Sequence, residues 1–150
     1  MIIREARGEE LDYVRAAYRD WDYHGGVEPG DVVLIAESGA RLLGLVRCTH
    51  ECETVMLRGM QVAPDARGQG VGTQLLAAFV ERLAGQECYC VPYTHLLAFY
   101  AKAGFKLQTP DDAPRFLSDR LTKYRAEGLD VILMRRPAIY GTPDRRPDCS

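Results

Sequence analysis

At 150 residues, the chain has the length of a single domain with one hydrophobic core. Its 19 basic and 21 acidic side chains give a formal net charge of -2, which excludes the strongly basic surface of a nonspecific nucleic-acid-binding protein. No stretch approaches the ~20 consecutive apolar residues of a membrane span, and the first residues lack the apolar core of a signal peptide. These features predict a soluble, cytoplasmic protein with neither nucleic acid nor membrane as a partner.

The first part of the chain predicts a strand, a helix and an irregular connection. Residues 2–6 have the apolar character of a short strand, and residues 9–21 repeat apolar side chains at helical spacing (Leu11, Val14, Tyr18 and Trp21). The following segment, 22–31, is rich in glycine and acidic residues. This composition ends the helix and predicts a loop.

Three β-rich segments then follow in quick succession, at 32–37, 41–51 and 54–63. Short polar corners separate them, so we predict an antiparallel meander. From Val71 to about Gly85 the pattern changes to a helix with one apolar face (Val71, Leu75, Leu76, Phe79, Val80 and Leu83).

After this helix the chain returns to a strand at 88–93. We predict a helix over 95–103, with Thr94 as its N-cap and Gly104 at its C-terminal end. A strand, a helix and a strand in this order predict a right-handed parallel crossover.

The last elements are a short strand, a helix and a final strand. Residues 105–107 begin the short strand, and a helix opened by Asp112 and Pro114 is closed by Gly128. The segment 129–136 has the composition of a strand.

No internal repeat divides the chain. We assign residues 1–137 to one domain. The remaining residues, 138–150, are polar, rich in proline and without period, which predicts a poorly ordered tail.

The five cysteines are an odd number in a chain large enough to fold without disulfides, so we expect free thiols (Cys48, Cys52, Cys88, Cys90 and Cys149). A metal site is the alternative, since His50 lies between the first two and His95 follows the next two. The even spacing of each pair places both cysteines on one face of a strand, and the ligand spacing of structural zinc sites is absent. We therefore predict no metal.

A glycine-rich segment joins the third strand of the meander to the next helix, in the sequence RGQGVGT over 67–73. Backbone N–H groups in the first turn of a helix lack intrahelical partners, and the helix dipole favours an anion such as pyrophosphate. The alternative is a glycine-rich connection without a ligand, because such short motifs have low specificity. The spacing G-x-G-x-G disfavours a dinucleotide fold, and the missing Gly-Lys-Ser/Thr excludes a Walker loop.

This segment resembles the coenzyme A loop of the GNAT superfamily of N-acetyltransferases, which reads Arg/Gln-x-x-Gly-x-Gly/Ala after a strand ending in Val-x-Pro. Arg67, Gly70 and Gly72 match the loop, and VAP at 62–64 matches the strand end. A second family motif, Phe/Leu-Tyr-x-Lys-x-Gly-Phe, stands here as FYAKAGF over 99–105. The resemblance covers about residues 54–107 specifically and, through the order of elements, nearly the whole chain.

The resemblance implies an α/β fold of the layered α+β type. Its sheet would be mixed and mostly antiparallel, with helices on both faces. A central parallel pair, formed by the strands containing residues 60–63 and 88–91, would be splayed around the cofactor cleft.

The resemblance also implies acetyl-coenzyme A as the acyl donor. The backbone of Gln61 and Val62 would meet the thioester and pantetheine, and Tyr100 would lie beside the sulfur. Arg67 would add a mobile cation to the N–H groups that take the pyrophosphate (Gly68, Gln69, Gly70, Val71, Gly72 and Thr73). Tyr93 stands where many members have an asparagine, so this chain lacks the help that the asparagine would give in holding the pantetheine.

Acyl transfer to an amine needs an acid for the departing thiolate and a base for the amine proton. Tyr100 is the predicted acid, since a phenol of pKa ~10 suits a thiol near ~8.5; the alternative is a core aromatic residue. The base stays open among His50, Glu51 and Glu53, at the corner between the second and third strands of the meander, where each is alternatively a solvated turn residue.

The loop after the first helix often lines the acceptor pocket in GNAT members. Here it carries Trp21, Tyr23 and His24, for which a partly packed surface loop is the alternative. Acids around this loop and the strand corner predict a preference for cationic amines (Asp20, Asp22, Glu28, Asp31, Glu51 and Glu53).

We therefore predict an N-acetyltransferase that moves an acetyl group from acetyl-coenzyme A to a primary amine of a small molecule or peptide, by direct attack in a ternary complex. One alternative is a nonenzymatic acyl-coenzyme A sensor or interaction module on the same fold. Another is a structural partner domain that forms a homodimer through the last helix and strand. The sequence does not name the acceptor.

Overall fold

The structure is a computed structural model that describes residues 1–139. In these residues the strands are β1 (Ile2–Glu5), β2 (Val32–Ser38), β3 (Arg41–Glu51), β4 (Thr54–Val62), β5 (Cys88–Cys90), β6 (Lys106–Leu107) and β7 (Met134–Arg136). The α-helices of the same residues are α1 (Leu11–Asp20), α2 (Val71–Leu83), α3 (Leu97–Ala101) and α4 (Arg115–Ala126). Short 3-10 helices precede α1 and α4 and connect several other elements.

The seven strands form a mixed sheet in the order β1-β2-β3-β4-β5-β7-β6. β2 is antiparallel to β1 and β3, and β7 is antiparallel to β5 and β6. β4 and β5 are parallel, with Met56 opposite Tyr89. The predicted mixed, mostly antiparallel sheet with one parallel pair is confirmed.

A two-residue turn joins β3 to β4. Cys52 and Glu53 both have left-handed backbone, with φ of 53° and 60°. Positive φ at both central residues is the geometry of a type I′ turn, whose twist matches that of the flanking strands. The predicted polar corner is therefore a tight hairpin turn.

The chain divides into two compact units. The first comprises Met1–Thr49 and Leu57–Arg82. Its core joins one face of α1 to alternating residues of β2 and β3 (Val14, Ala17, Tyr18, Val27, Val33, Ile35, Leu42 and Leu45). The apolar face predicted for α2 is also buried, except for a half-buried Val80.

The second unit comprises His50–Met56 and the chain from Leu83 onward. In its core α4 packs two residues, one turn apart, against β4, β5 and the segment before β7 (Met56, Tyr89, Leu117, Leu121, Val131 and Leu133). Half-buried Phe116 and Tyr124 extend this core along the helix.

Two predicted strands are shorter than expected, because Pro92 has no N–H to donate to a ladder. β5 ends at Cys90 instead of residue 93, and β7 begins at Met134 instead of residue 129. The segments still meet: Ile132 N–H donates to the Pro92 carbonyl at 2.9 Å, and Tyr93 forms an isolated bridge with Val131.

The N-cap predicted for the helix at 95–103 is wrong. Residues Thr94–Leu96 form a 3-10 turn, and α3 itself occupies Leu97–Ala101. The Thr94 hydroxyl donates instead to the Asp130 carboxylate, 2.7 Å away. Gly104, with φ of 92°, ends the helical segment as predicted.

The division into a domain at 1–137 and a tail at 138–150 stays a prediction. Ile139 N–H donates to the Gly85 carbonyl at 2.9 Å. Residues 140–150 lie outside the described part of the chain.

Candidate active site

The connection between β4 and α2 presents an exposed glycine loop. A 3-10 turn at Pro64–Ala66 leads into it, and residues 67–70 are exposed. Gly68 and Gly70 have φ of 78° and 82°, a conformation that other residues rarely adopt. A Cβ atom built on either glycine would meet no heavy atom within 4 Å. The loop therefore leaves open space beside its backbone.

The amides of this loop are not used by the helix that follows. The first backbone bond at the start of α2 runs from Gln74 N–H to the Gly70 carbonyl, at 3.1 Å. Among described residues, the N–H groups of 68–73 donate no backbone hydrogen bond outside a helix or strand. They lie at the positive end of the helix dipole, an arrangement that suits an anion.

Arg67 lies at the start of the loop and is exposed. Its Nε donates to the Val62 carbonyl over 3.4 Å, a long contact that restrains the guanidinium weakly. The side chain can thus reach a ligand at the loop without breaking a strong interaction.

A close approach between α2 and the sheet positions this loop. A Cβ atom on Gly44 of β3 would lie 2.7 Å from Leu75 Cδ1, 3.1 Å from Val71 Cγ1 and 3.1 Å from the Gln61 carbonyl oxygen. A larger residue at this position would require Leu75 and its neighbours to move, so glycine suits the close packing of the first turns of α2 on β3. The N-terminus of the helix is consequently held against the strand that carries Gln61.

The strand residues proposed to meet the acyl donor, Gln61 and Val62, lie at the end of β4 and are half-buried. Gly59, two residues earlier, has φ of 64° within the strand, which is typical of a β-bulge. β5 ends one residue after Tyr89, whereas β4 continues from Met56 to Val62.

Tyr100 lies on α3 and is 3% exposed. Its ring makes edge contacts with Phe99 and Phe105, at centroid distances of 5.0 and 5.8 Å. These contacts place it in an aromatic cluster of the second unit. Its role as the acid stays a prediction, because packing alone also suits a core residue.

The three candidate bases differ in their surroundings. His50 and Glu53 are exposed, and Glu53 occupies the second left-handed position of the hairpin turn. Glu51 accepts from Arg120 Nη2 at 2.6 Å. The salt bridge occupies the Glu51 carboxylate, so this side chain is less accessible to a substrate than those of His50 and Glu53.

The three residues proposed to contact the acceptor differ in their exposure to solvent. Trp21 and Tyr23 are half-buried and pack against the core of the first unit. His24 is exposed, with Nε2 3.1 Å from a carboxylate oxygen of Asp22. Substrate contact by these residues stays a prediction.

A buried polar cluster beside Tyr23 was not predicted from the sequence. Arg47 of β3 is 2% exposed, and its Nη1 is 2.9 Å from the Asp31 carboxylate. Its Nη2 donates to the Tyr23 hydroxyl at 3.2 Å, and the guanidinium carbon lies 5.8 Å from the ring centroid of Tyr18. We call Tyr18, Tyr23, Asp31 and Arg47 the Arg47 cluster.

Protonation states in the Arg47 cluster follow from burial and charge. Burial raises the pKa of Tyr18 above its ordinary value, so its hydroxyl stays protonated near neutral pH. Burial opposes the charge of Arg47, but Tyr23, Tyr18 and Asp31 outweigh it and raise the Arg47 pKa. An arginine within an apolar strand and a glycine inside the next strand were the available sequence signals.

The cysteines confirm the expected free thiols in part. Cys48, Cys88 and Cys90 are free and buried, whereas Cys52 is disulfide-bonded, so the expectation is wrong for that residue. Burial raises the pKa of Cys48 and Cys90, which makes both thiols poor nucleophiles. Cys149 lies outside the described residues.

Residues 1–139 lack two features, a metal-binding cluster and a membrane-spanning helix. No group of three or more histidine, cysteine or acidic side chains is arranged to hold a metal ion there. No helix among the same residues has the length and apolar character needed to cross a membrane.

Solved structures with a similar fold include several acetyltransferases. N-acetylglutamate synthase from Neisseria gonorrhoeae, in complex with coenzyme A and N-acetyl-glutamate, has a TM-score of 0.68 and 20% identity over 93% of this chain. The match covers 35% of the synthase, so this chain spans about a third of its length. Ribosomal-protein-S18-alanine N-acetyltransferase from Escherichia coli has a TM-score of 0.70 and 15% identity, over 96% of this chain and 97% of that one.

An aminoglycoside 6'-N-acetyltransferase in complex with coenzyme A has a TM-score of 0.61 and 19% identity. The match covers 96% of this chain and 100% of that chain. No curated protein matches the sequence.

The acetyltransferase (GNAT) domain family matches residues 29–107, which is more than half of the 150 residues. The matched region contains β2 to β6, the glycine loop and α3. The chain therefore belongs to the GNAT acetyltransferase family.

Proposed function

We propose that this protein is an acyltransferase, which uses acetyl-coenzyme A and transfers the acetyl group to a primary amine of a small molecule or peptide. The amine attacks the thioester directly in a ternary complex, and no covalent enzyme intermediate forms. The observation that carries this proposal is the open glycine loop, whose N–H groups lie unused at the start of α2. Coenzyme A is bound in solved structures of similar fold, which supports the choice of donor.

The pyrophosphate of the donor is assigned to the loop amides. Uncharged N–H groups and the helix dipole bind an anion without a buried counter-charge, and Arg67 supplies a cation from the solvent side. The backbone of Gln61 and Val62 is assigned to the thioester and pantetheine.

Tyr100 is assigned as the acid that protonates the departing thiolate. The proton of the attacking amine passes to His50, to Glu53 or to a water molecule that either of them holds. Glu51 is a poorer candidate, since Arg120 occupies its carboxylate. Because most free amines are protonated near neutral pH, the rate should rise with pH as the neutral amine becomes available.

Fewer acidic residues are available to a cationic acceptor than the sequence indicates. Asp31 and Glu51 are paired with Arg47 and Arg120, and are not available to a ligand's ammonium group. The exposed acids of the acceptor loop are Asp20, Asp22 and Glu28. A preference for cationic amines would therefore depend on these exposed acids and on Glu53, and neutralising Asp22 and Glu28 should weaken it.

The test of the loop is Gly70→Glu, with coenzyme A binding measured by titration calorimetry. The open space at Gly70 accommodates the side chain, which then places a negative charge where the phosphates would bind. We expect binding to weaken by about tenfold or more.

The matched control is Gly39→Glu, because Gly39 also has positive φ and open surroundings but lies in the β2–β3 turn. Equal affinities in the two folded variants would contradict the assignment of the loop. Release of free thiol from acetyl-coenzyme A, measured across a panel of primary amines, then identifies the acceptor class. Donor binding without turnover across that panel would instead favour the acyl-coenzyme A sensor.

A further inference from the structure

The Arg47 cluster has a composition that stability alone explains poorly. A charged pair taken out of water loses much of its attraction to the cost of desolvation, and apolar replacements are often equally stable. Here Arg47 is also under-satisfied: its Nε has no hydrogen-bond partner among the described residues, although the side chain is 2% exposed. A buried donor without an acceptor is itself unfavourable.

The Arg47 cluster contacts β4 at Gly59. The Tyr18 hydroxyl donates to the Gly59 carbonyl at 2.8 Å. A Cβ atom on Gly59 would lie 2.6 Å from the Tyr18 hydroxyl oxygen and 3.0 Å from Arg47 Nε. The left-handed glycine therefore fits against these two side chains and leaves no room for any other residue.

The chain of contacts also fixes the position of Tyr18 and Arg47. The rings of Tyr18 and Tyr23 are 4.6 Å apart, and Arg47 is bound by both Tyr23 and Asp31. Asp31 in turn accepts from the Glu28 amide at 3.0 Å, which ties the loop before β2 to the same cluster. The left-handed backbone at Gly59 is thus held from several elements of the first unit.

We propose that Tyr18 and Arg47 are positioning residues, which hold the left-handed backbone of Gly59 so that the next residues of β4, through Val62, present their backbone to the pantetheine arm of the donor. The proposal rests on the assignment of Gln61 and Val62 to that arm. It requires no contact between the cluster and the donor itself.

The test uses Tyr18→Phe, which removes the hydroxyl and keeps the ring. Arg47 variants are less informative, because they leave the buried Asp31 carboxylate unpaired and endanger folding. Two ligands are titrated by calorimetry: coenzyme A, and 3'-phosphoadenosine 5'-diphosphate, which is the same molecule without the pantetheine arm. The nucleotide needs only the glycine loop, whereas coenzyme A also needs the end of β4.

We expect Tyr18→Phe to weaken coenzyme A binding by about three- to tenfold, the usual effect of one hydrogen bond, and to leave nucleotide binding unchanged. The control is Tyr13→Phe, which alters an exposed tyrosine on the same helix and should change neither affinity. Thermal unfolding of both variants is measured in parallel.

Equal changes for the two ligands, or a lower melting temperature with both affinities unchanged, would overturn the proposal, since either result reduces the cluster to a structural role. A wild-type protein that binds neither ligand would instead contradict the proposed function. The two failures are therefore distinguishable.

Discussion

Two glycine positions in the first unit share left-handed backbone but have opposite surroundings. Gly59 is enclosed by Tyr18 and Arg47, whereas Gly70 faces open space. At Gly59 the absence of a side chain serves internal packing, and at Gly70 it leaves the backbone accessible to a ligand. Positive φ alone therefore does not separate an enclosed glycine from one whose backbone is open to solvent, whereas the space around the missing Cβ does.

The largest effect should follow from adding a side chain at Gly59, the enclosed position. Gly59→Ala combines backbone strain with a methyl group 2.6 Å from the Tyr18 hydroxyl oxygen, so we expect a loss of about 3 kcal/mol in the free energy of unfolding. Urea denaturation measures it. Gly39→Ala, where nothing lies within 4 Å, isolates the strain and should cost about 1 kcal/mol. Similar losses in both variants would show that enclosure is unimportant.

Tyr100 is the opposite case to Gly70, because it is buried and is nevertheless proposed to take part in catalysis. Tyr100→Phe keeps the aromatic contacts and removes the acid, so kcat should fall about 100-fold with little change in coenzyme A affinity. The measurement is thiol release with the best acceptor, under conditions where the chemical step limits turnover. Tyr124→Phe, on α4 of the same unit, should retain activity. Wild-type kcat in the Tyr100 variant would assign this residue to the core alone.

The smallest effect concerns an open left-handed position that is not glycine. Glu53 has φ of 60° and an exposed side chain, so Glu53→Gly should relieve strain and raise the free energy of unfolding by about 1 kcal/mol. Thermal unfolding measures it, with Glu53→Ala as the control that removes the carboxylate without relieving the backbone. Loss of activity in both variants would identify Glu53 as the base, whereas unchanged stability in Glu53→Gly would contradict the strain argument.

The sequence predicted the features that depend on local pattern. The glycine loop, the apolar face of α2 and the order of the elements follow from residues close together in the chain. The strand ends were less accurate, because Pro92 interrupts two segments that are about 40 residues apart. The Thr94 cap failed for a similar reason, since Asp130 competes for its hydroxyl from 36 residues away.

The Arg47 cluster shows what pattern alone leaves out. In the sequence, Arg47 is one charged residue in an apolar segment, and Gly59 is a single glycine in the next strand segment. Their meaning depends on Tyr18, which reaches the Gly59 carbonyl across 41 residues of sequence. Contacts between residues so far apart in sequence form only when the core packs, so a local sequence pattern does not indicate them.

The tight packing of α2 on Gly44 has a consequence for the response of donor binding to ionic strength. Amides at an anchored helix end are fixed, uncharged dipoles, and they release no counter-ions when a phosphate binds. The mobile charge nearest the loop in sequence is that of Arg67, and salt screens an exposed charge within ~10 Å at 0.1 M. Added salt should therefore weaken the part of the affinity that belongs to one arginine and leave the contribution of the backbone largely intact.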